Sequence, residues 1–224
     1  MKETGIFRNT LLGLSFILFV GALYLIFVYV PTEEGMGIVQ RIFYFHVPVA
    51  WIAFLAFFIV FLGSIMYLWK RESKWDVIAS SSAEVGVIFT TLVLITGSIW
   101  AKPIWGAWWT WDARLTTALI LWLIYIAYLL VRSYATHEQQ AARFAAIVGI
   151  VGFVDVPIVA LAITLWRTQH PSPVIFQGGL APPMLLTLLV CLAAFTTLYS
   201  LLLIQRASIK NAEGEVGKLK ELCS

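Results

Sequence analysis

Charge is scarce in this sequence: only 12% of its 224 residues are Asp, Glu, Lys or Arg. An ordinary soluble domain carries about a quarter, so a soluble globular fold is excluded. With 61% hydrophobic residues, the chain reads as an integral membrane protein. Cysteine is equally sparse. Cys191 and Cys223 form neither a CxxC nor a CxxCH motif, which argues against a thiol–disulfide carrier, a zinc site or covalent heme attachment by this chain. Cys191 reads as a small apolar core residue. There are three histidines, no repeat at a fixed period and no separate soluble domain.

Long apolar runs are abundant. A helix needs about 20 mostly apolar residues to span a bilayer. Six segments meet that length: Thr10–Val30, Val47–Trp69, Val77–Trp100, Leu115–Val131, Phe144–Trp166 and Met184–Ile204. The fold expected is an all-α polytopic bundle of six transmembrane helices in a single integral membrane domain, residues 1–224. The third run is the weakest, because Ser80, Ser81, Ser82 and Glu84 occupy its first turns. Lys2 and Arg8 precede the first run as in a signal peptide. That run is too long and has no clear small-residue cleavage site, so an uncleaved anchor is expected.

The basic residues are unevenly placed. The N-terminus, the 2–3 and 4–5 connections and the C-terminus hold eleven Lys and Arg, whereas the other three loops hold Arg41, Lys102, Arg114 and Arg167. The positive-inside rule then puts both termini in the cytoplasm and loops 31–46, 101–114 and 167–183 outside.

The second outer loop carries Trp105 to Arg114, WGAWWTWDAR, with Trp100 just upstream. Five of the ten tryptophans therefore fall in one short connection. An interfacial aromatic belt accounts for one or two tryptophans at a helix end. It does not account for four interspersed with Gly106, Ala107 and Thr110. A dense set of flat rings offers a stacking surface for another flat body. The other two outer loops each bring a histidine, His46 at the start of the second span and His170 just past the fifth. His137 lies in an inner loop and reads as a solvated residue.

Imidazole is the commonest protein ligand for transition metals, and two of them from different helices can supply both axial ligands of a heme. Each histidine alone is equally compatible with hydrogen-bonded structure. Zinc would want a third or fourth ligand nearby, and a flat aromatic surface has no use there. Heme propionates would seek cations, with Arg the better bidentate partner. Arg114 is the candidate, with an ion pair to Asp112 or head-group anchoring as its alternatives. Two carboxylates fall within spans, Asp155 two residues before Pro157 and Glu84 near the inner end of the third. Polar packing between helices is the reading favoured for them, with a proton path or a heme-entry route as the alternative. Pro157 should kink its helix. The tail from Ala207 onward mixes Lys and Glu and reads as a solvated end.

WGAWWTWDAR resembles the WWD signature of the heme-handling membrane proteins of cytochrome c biogenesis, in the form WGxWWxWDxR. With six spans and two outer histidines, the whole chain resembles the CcmC (heme exporter protein C) family. Larger WWD proteins of the CcmF and CcsA types carry more spans and additional histidines. The resemblance implies a multi-pass protein of the bacterial inner membrane that binds non-covalent, b-type heme at the periplasmic face and delivers it to the heme chaperone CcmE. It implies CcmA and CcmB, the ABC transporter subunits, and the small protein CcmD as partners. Carried onto this sequence, His46 and His170 would be the axial ligands. Trp105, Gly106, Trp108, Trp109, Trp111 and Asp112 would form the platform, with Arg114 beside it. The covalent heme bond would form on the chaperone's own histidine, so no enzyme activity is expected. An open tryptophan shelf suits hand-over, because a partner can reach the exposed heme edge. The other readings are a membrane subunit translocating heme or another solute in an ABC-type complex, and a scaffold without cofactor.

Overall fold

The computed structural model describes residues 2–134, 137–166, 168–170, 175 and 178–223. Among them the secondary structure is helical apart from one isolated bridge, Glu33 to Gly37. The α-helices are α1 (Lys2–Tyr24), α2 (Phe43–Lys70), α3 (Ser73–Trp105), α4 (Ala113–Tyr134), α5 (Glu138–Phe153), α6 (Asp155–Leu165) and α7 (Pro182–Cys223). A π turn, Leu25–Tyr29, prolongs α1, and a 3₁₀ turn, Ile38–Ile42, leads into α2. With α5 and α6 counted as one broken span, six helical segments among the described residues are long and apolar enough to cross a membrane.

Small residues bring the helices together, as they must where lipid is as apolar as a leucine side chain. Helices α2 and α3 form the tightest pair, with Ala53, Ala56 and Val60 facing Ala79, Ala83 and Gly86, all buried. A Cβ on Gly86 would come within 2.7 Å of the Phe57 ring. Helix α5 inserts its own small face, Ala141, Ala145 and Gly149, where a Cβ on Gly149 would lie 2.9 Å from Ser64 Oγ. The central core is closed by Phe57 stacked on Tyr125, their centroids 3.6 Å apart at 11°. Helix α1 lies on α7 through the edge-to-face pair Phe19–Phe195 at 5.1 Å. The Ser82 hydroxyl donates to Ala56 O at 2.7 Å and shares a 2.8 Å bond with Tyr199, tying α2, α3 and α7.

Helix ends differ from the apolar runs in three places. Helix α3 continues five residues beyond Trp100 and stops at Gly106, whose φ of 76° lies in the left-handed region that favours glycine. The apolar run ends at Trp100, yet the helix carries Lys102 and Pro103 in its last turn, so only Gly106–Asp112 of the 101–114 connection is non-helical. The fifth span breaks at Val154, three residues before Pro157, where the proline ring meets the preceding turn. Helix α7 runs on to Cys223, so the charged tail is a helical extension with a largely exposed surface.

Six alternating spans put the start of α1 and the end of α7 at one end of the bundle, together with Lys70, Asp76 and Arg132. At this basic end Arg132 grips Asp76 with both terminal nitrogens, one at 2.9 Å. Glu84 pairs with Arg206 and with Lys210, the latter at 2.9 Å. Glu84 is thus an ion-pair partner that joins α3 to α7. The opposite end carries the tryptophan loop.

Candidate functional site

The tryptophan end contains a partly open cleft between α2, α3, α4 and α6. His46, Trp105, Trp109, Arg114 and His170 all line it, from three separate stretches of chain. Three more lining residues, Met36, Trp100 and Gly97, were not picked out from the sequence as site residues. The walls deeper in are apolar, with Val93, Leu94, Ala118 and Leu121. This donor set is chemically suited to a flat, apolar, iron-bearing and anionic-edged molecule: imidazoles for the metal, rings and aliphatics for the faces, a guanidinium for carboxylates.

His46 stands in the first turn of α2 and is 8% exposed. Its Nδ1 lies 2.9 Å from Thr96 Oγ1 on α3. Trp100, one turn further along α3, meets the imidazole edge-on at 5.8 Å and 67°. His170 reaches the cleft from the connection after α6, close enough to His46 for the two to interact electrostatically. His137 is remote from both, at the start of α5, on a polar cleft at the basic end beside Arg71 and Asp76.

The tryptophan loop divides into two sides. Trp105 and Trp109 face the cleft, whereas Trp108 and Trp111 are 58% and 75% exposed and do not line it. Trp109 meets Trp111 edge-on at 5.8 Å, so the inner and outer rings touch. Trp109 Nε1 is buried without a hydrogen-bond partner among the described residues. Gly106 is the left-handed cap of α3, and its N–H donates to Lys102 O at 3.0 Å.

Asp112 does not line the cleft; it fastens the loop. Its Oδ1 accepts from the Arg114 N–H at 3.0 Å and the Leu115 N–H at 3.3 Å, which makes it the N-terminal cap of α4. It also accepts from the Thr168 hydroxyl at 2.8 Å, while Thr110 donates to Oδ2 at 2.8 Å. Thr168 Oγ1 in turn accepts from the His170 N–H at 3.2 Å. One carboxylate therefore ties the tryptophan loop to the histidine of the next loop. Burial alone would raise its pKa, but the bonds from Thr168, Thr110, Leu115 and Arg114 outweigh it and hold the carboxyl below the usual aspartate value.

With Asp112 so engaged, the Arg114 guanidinium donates instead to Val159 O on α6 at 3.2 Å. Arg41 sits over the Phe27 ring at 5.9 Å and donates to Phe27 O. Lys102 donates to Gly106 O at 2.9 Å. Neither lines the cleft, and Arg167 lies outside the described residues. Asp155 is buried below the cleft at the α5–α6 break, with Oδ2 unpartnered among the described residues.

The sequence matches the family model "CcmC: Heme exporter protein C" over residues 1–221. It is 37% identical over 172 residues to the heme exporter protein C of Bradyrhizobium diazoefficiens, an alignment covering 75% of this chain and 65% of that protein. It is 32% identical over 173 residues to a putative cytochrome c biosynthesis ccmC-like mitochondrial protein of Marchantia polymorpha, covering 77% and 73%. The heme exporter protein C of Escherichia coli is 32% identical over 159 residues, covering 70% and 64%. The chain thus aligns with about two thirds of the length of these relatives. By its sequence over nearly its full length, and as a multi-pass chain with six candidate spans, this protein belongs to the CcmC, heme exporter protein C, family of cytochrome c biogenesis.

Proposed function

We propose that this chain holds heme as cargo in the cleft at the tryptophan end, with His46 and His170 as axial ligands, and passes it to a CcmE-type chaperone. The observation that carries this reading is the convergence of both histidines with Trp105, Trp109 and Arg114 on one apolar-walled cleft. Trp105 and Trp109 would cover the macrocycle, while Trp108 and Trp111 form the outer shelf on which a chaperone docks. Arg114 has N–H groups beyond the one given to Val159 O and would take a propionate. Gly106 and Asp112 shape and fasten the loop rather than touch heme.

The basic end would face the cytoplasm under the positive-inside rule. Both termini would then be cytoplasmic, and the cleft would open to the periplasm of a bacterial inner membrane. CcmA and CcmB, as ABC transporter subunits, and CcmD would complete the assembly. Covalent bond formation would take place on the chaperone, so this chain supplies ligation and orientation but no nucleophile.

The test is the visible spectrum of the purified protein. His46→Ala with His170→Ala is expected to abolish the Soret band of bound heme. A band of unchanged intensity and position in the double variant would remove both histidines from the ligand set.

A further inference from the structure

We infer that Thr96 is a positioning residue that fixes His46 in the tautomer whose Nε2 is free to bind iron, an inference that rests on the heme-ligand reading above. The chemistry follows from two hydrogen bonds. Thr96 Oγ1 lies 2.6 Å from Leu92 O, one turn back on α3. A carbonyl can only accept, so the single hydroxyl proton of Thr96 is committed to that bond. Toward His46 Nδ1, 2.9 Å away, the same oxygen can therefore act only as acceptor. The proton must sit on Nδ1, which leaves Nε2 with its lone pair bare. A neutral imidazole ligates a metal through its unprotonated nitrogen, and the partner of the other nitrogen decides which one that is, here Nε2.

Two neighbours of Thr96 complete the holder. A Cβ on Gly97 would come within 3.1 Å of His46 Cε1, so the glycine leaves just enough room for the ring to lie against α3. Trp100, four residues beyond Thr96, closes the other side edge-on at 5.8 Å. Thr96, Gly97 and Trp100 share one face of α3. They present Nδ1 with an acceptor, Cε1 with a close wall and the ring with an aromatic edge. The bond to Thr96 also makes the imidazole a stronger donor to iron, favouring the ferric state.

The experiment compares Thr96→Val, which keeps the shape and loses the acceptor, with Thr96→Ser, which keeps the acceptor. In the full-length, heme-free protein labelled with ¹⁵N-histidine, the wild type and Thr96→Ser are expected to show His46 with a protonated Nδ1 and a bare Nε2. Thr96→Val is expected to show a mixture of tautomers. Heme should bind about 10–100-fold more weakly to Thr96→Val, the usual penalty for losing such a partner, with a higher midpoint potential. Thr96→Ser should restore both. Gly97→Ala should weaken heme binding while leaving the tautomer unchanged. A wild-type tautomer pattern in Thr96→Val overturns the inference whatever happens to heme binding. Wild-type heme affinity and spectrum in His46→Ala would instead overturn the ligand reading itself, and the tautomer measurement stands apart from that outcome.

Discussion

Replacing Asp112 with alanine should loosen two loops at once, and the size of the effect follows from what the carboxylate holds. It caps α4 through the Arg114 and Leu115 amides and receives the Thr168 hydroxyl at 2.8 Å. Loss of an Asp cap costs about 1 kcal/mol. A hydrogen bond to a charged group contributes about 1.5–3 kcal/mol, to be discounted to about 1 kcal/mol for a half-buried loop site where water can substitute. The sum of about 2 kcal/mol corresponds to about a thirtyfold rise in local opening. Amide hydrogen exchange reads this directly: peptides covering 110–117 and 168–170 should lose protection in Asp112→Ala, while the α2–α3 core keeps its own. Thr168→Val separates the two contributions. It should leave 110–117 protected and release only 168–170, weakening heme binding through His170. Protection of both segments within about twofold of wild type in Asp112→Ala would refute the tie, since about 2 kcal/mol cannot vanish into so small a ratio.

The same carboxylate predicts a pH dependence. Because its folded pKa is depressed, its contribution is fully present above the ordinary aspartate value and is lost as pH falls through the lower folded one. Protection of 110–117 should therefore be flat from neutral pH down to about 4 and fall only below that, a fall absent in Asp112→Asn. Trp108→Ala with Trp111→Ala should leave the Soret band in place and slow transfer to the chaperone in a stopped-flow assay, since neither ring lines the cleft. Trp109→Ala should weaken heme binding itself, measured by titration. Asp76→Asn leaves Arg132 half-buried without its carboxylate and should cost about 3 kcal/mol, seen as a lower midpoint of thermal unfolding in detergent. The charge-swapped pair Asp76→Arg with Arg132→Asp should recover part of that loss.

The spans were legible in the sequence because an apolar run of bilayer length has no alternative but to cross as helix. Their ends were not, because helix and apolar run stop at different residues. Trp100 ends the apolar run, yet α3 continues through Lys102 and Pro103 until Gly106 takes a left-handed conformation. The break at Val154 was legible in kind from Pro157 but not in position. Glu84 could not be assigned because its partners, Arg206 and Lys210, stand more than a hundred residues away.

The candidate site divides along the same line between local pattern and tertiary contact. Tryptophan density and charge asymmetry are local signals, and they single out the stretches that supply the cleft. They do not say which ring points where, so Trp108 and Trp111 look equivalent to Trp105 and Trp109 until the loop is folded. Asp112 sits inside the tryptophan run and also directly before an apolar helix, where Asp is a preferred helix-cap residue; the sequence alone does not separate a place in the platform from a cap. Thr96 and Gly97 carried a fainter signal, lying a turn before Trp100 on the same helix face. A lone threonine in an apolar span usually returns its proton to its own backbone, as Thr90, Thr91 and Thr196 do here. Thr96 does so too, and only the arrival of His46 from α2 turns that ordinary bond into one that dictates where the imidazole keeps its proton.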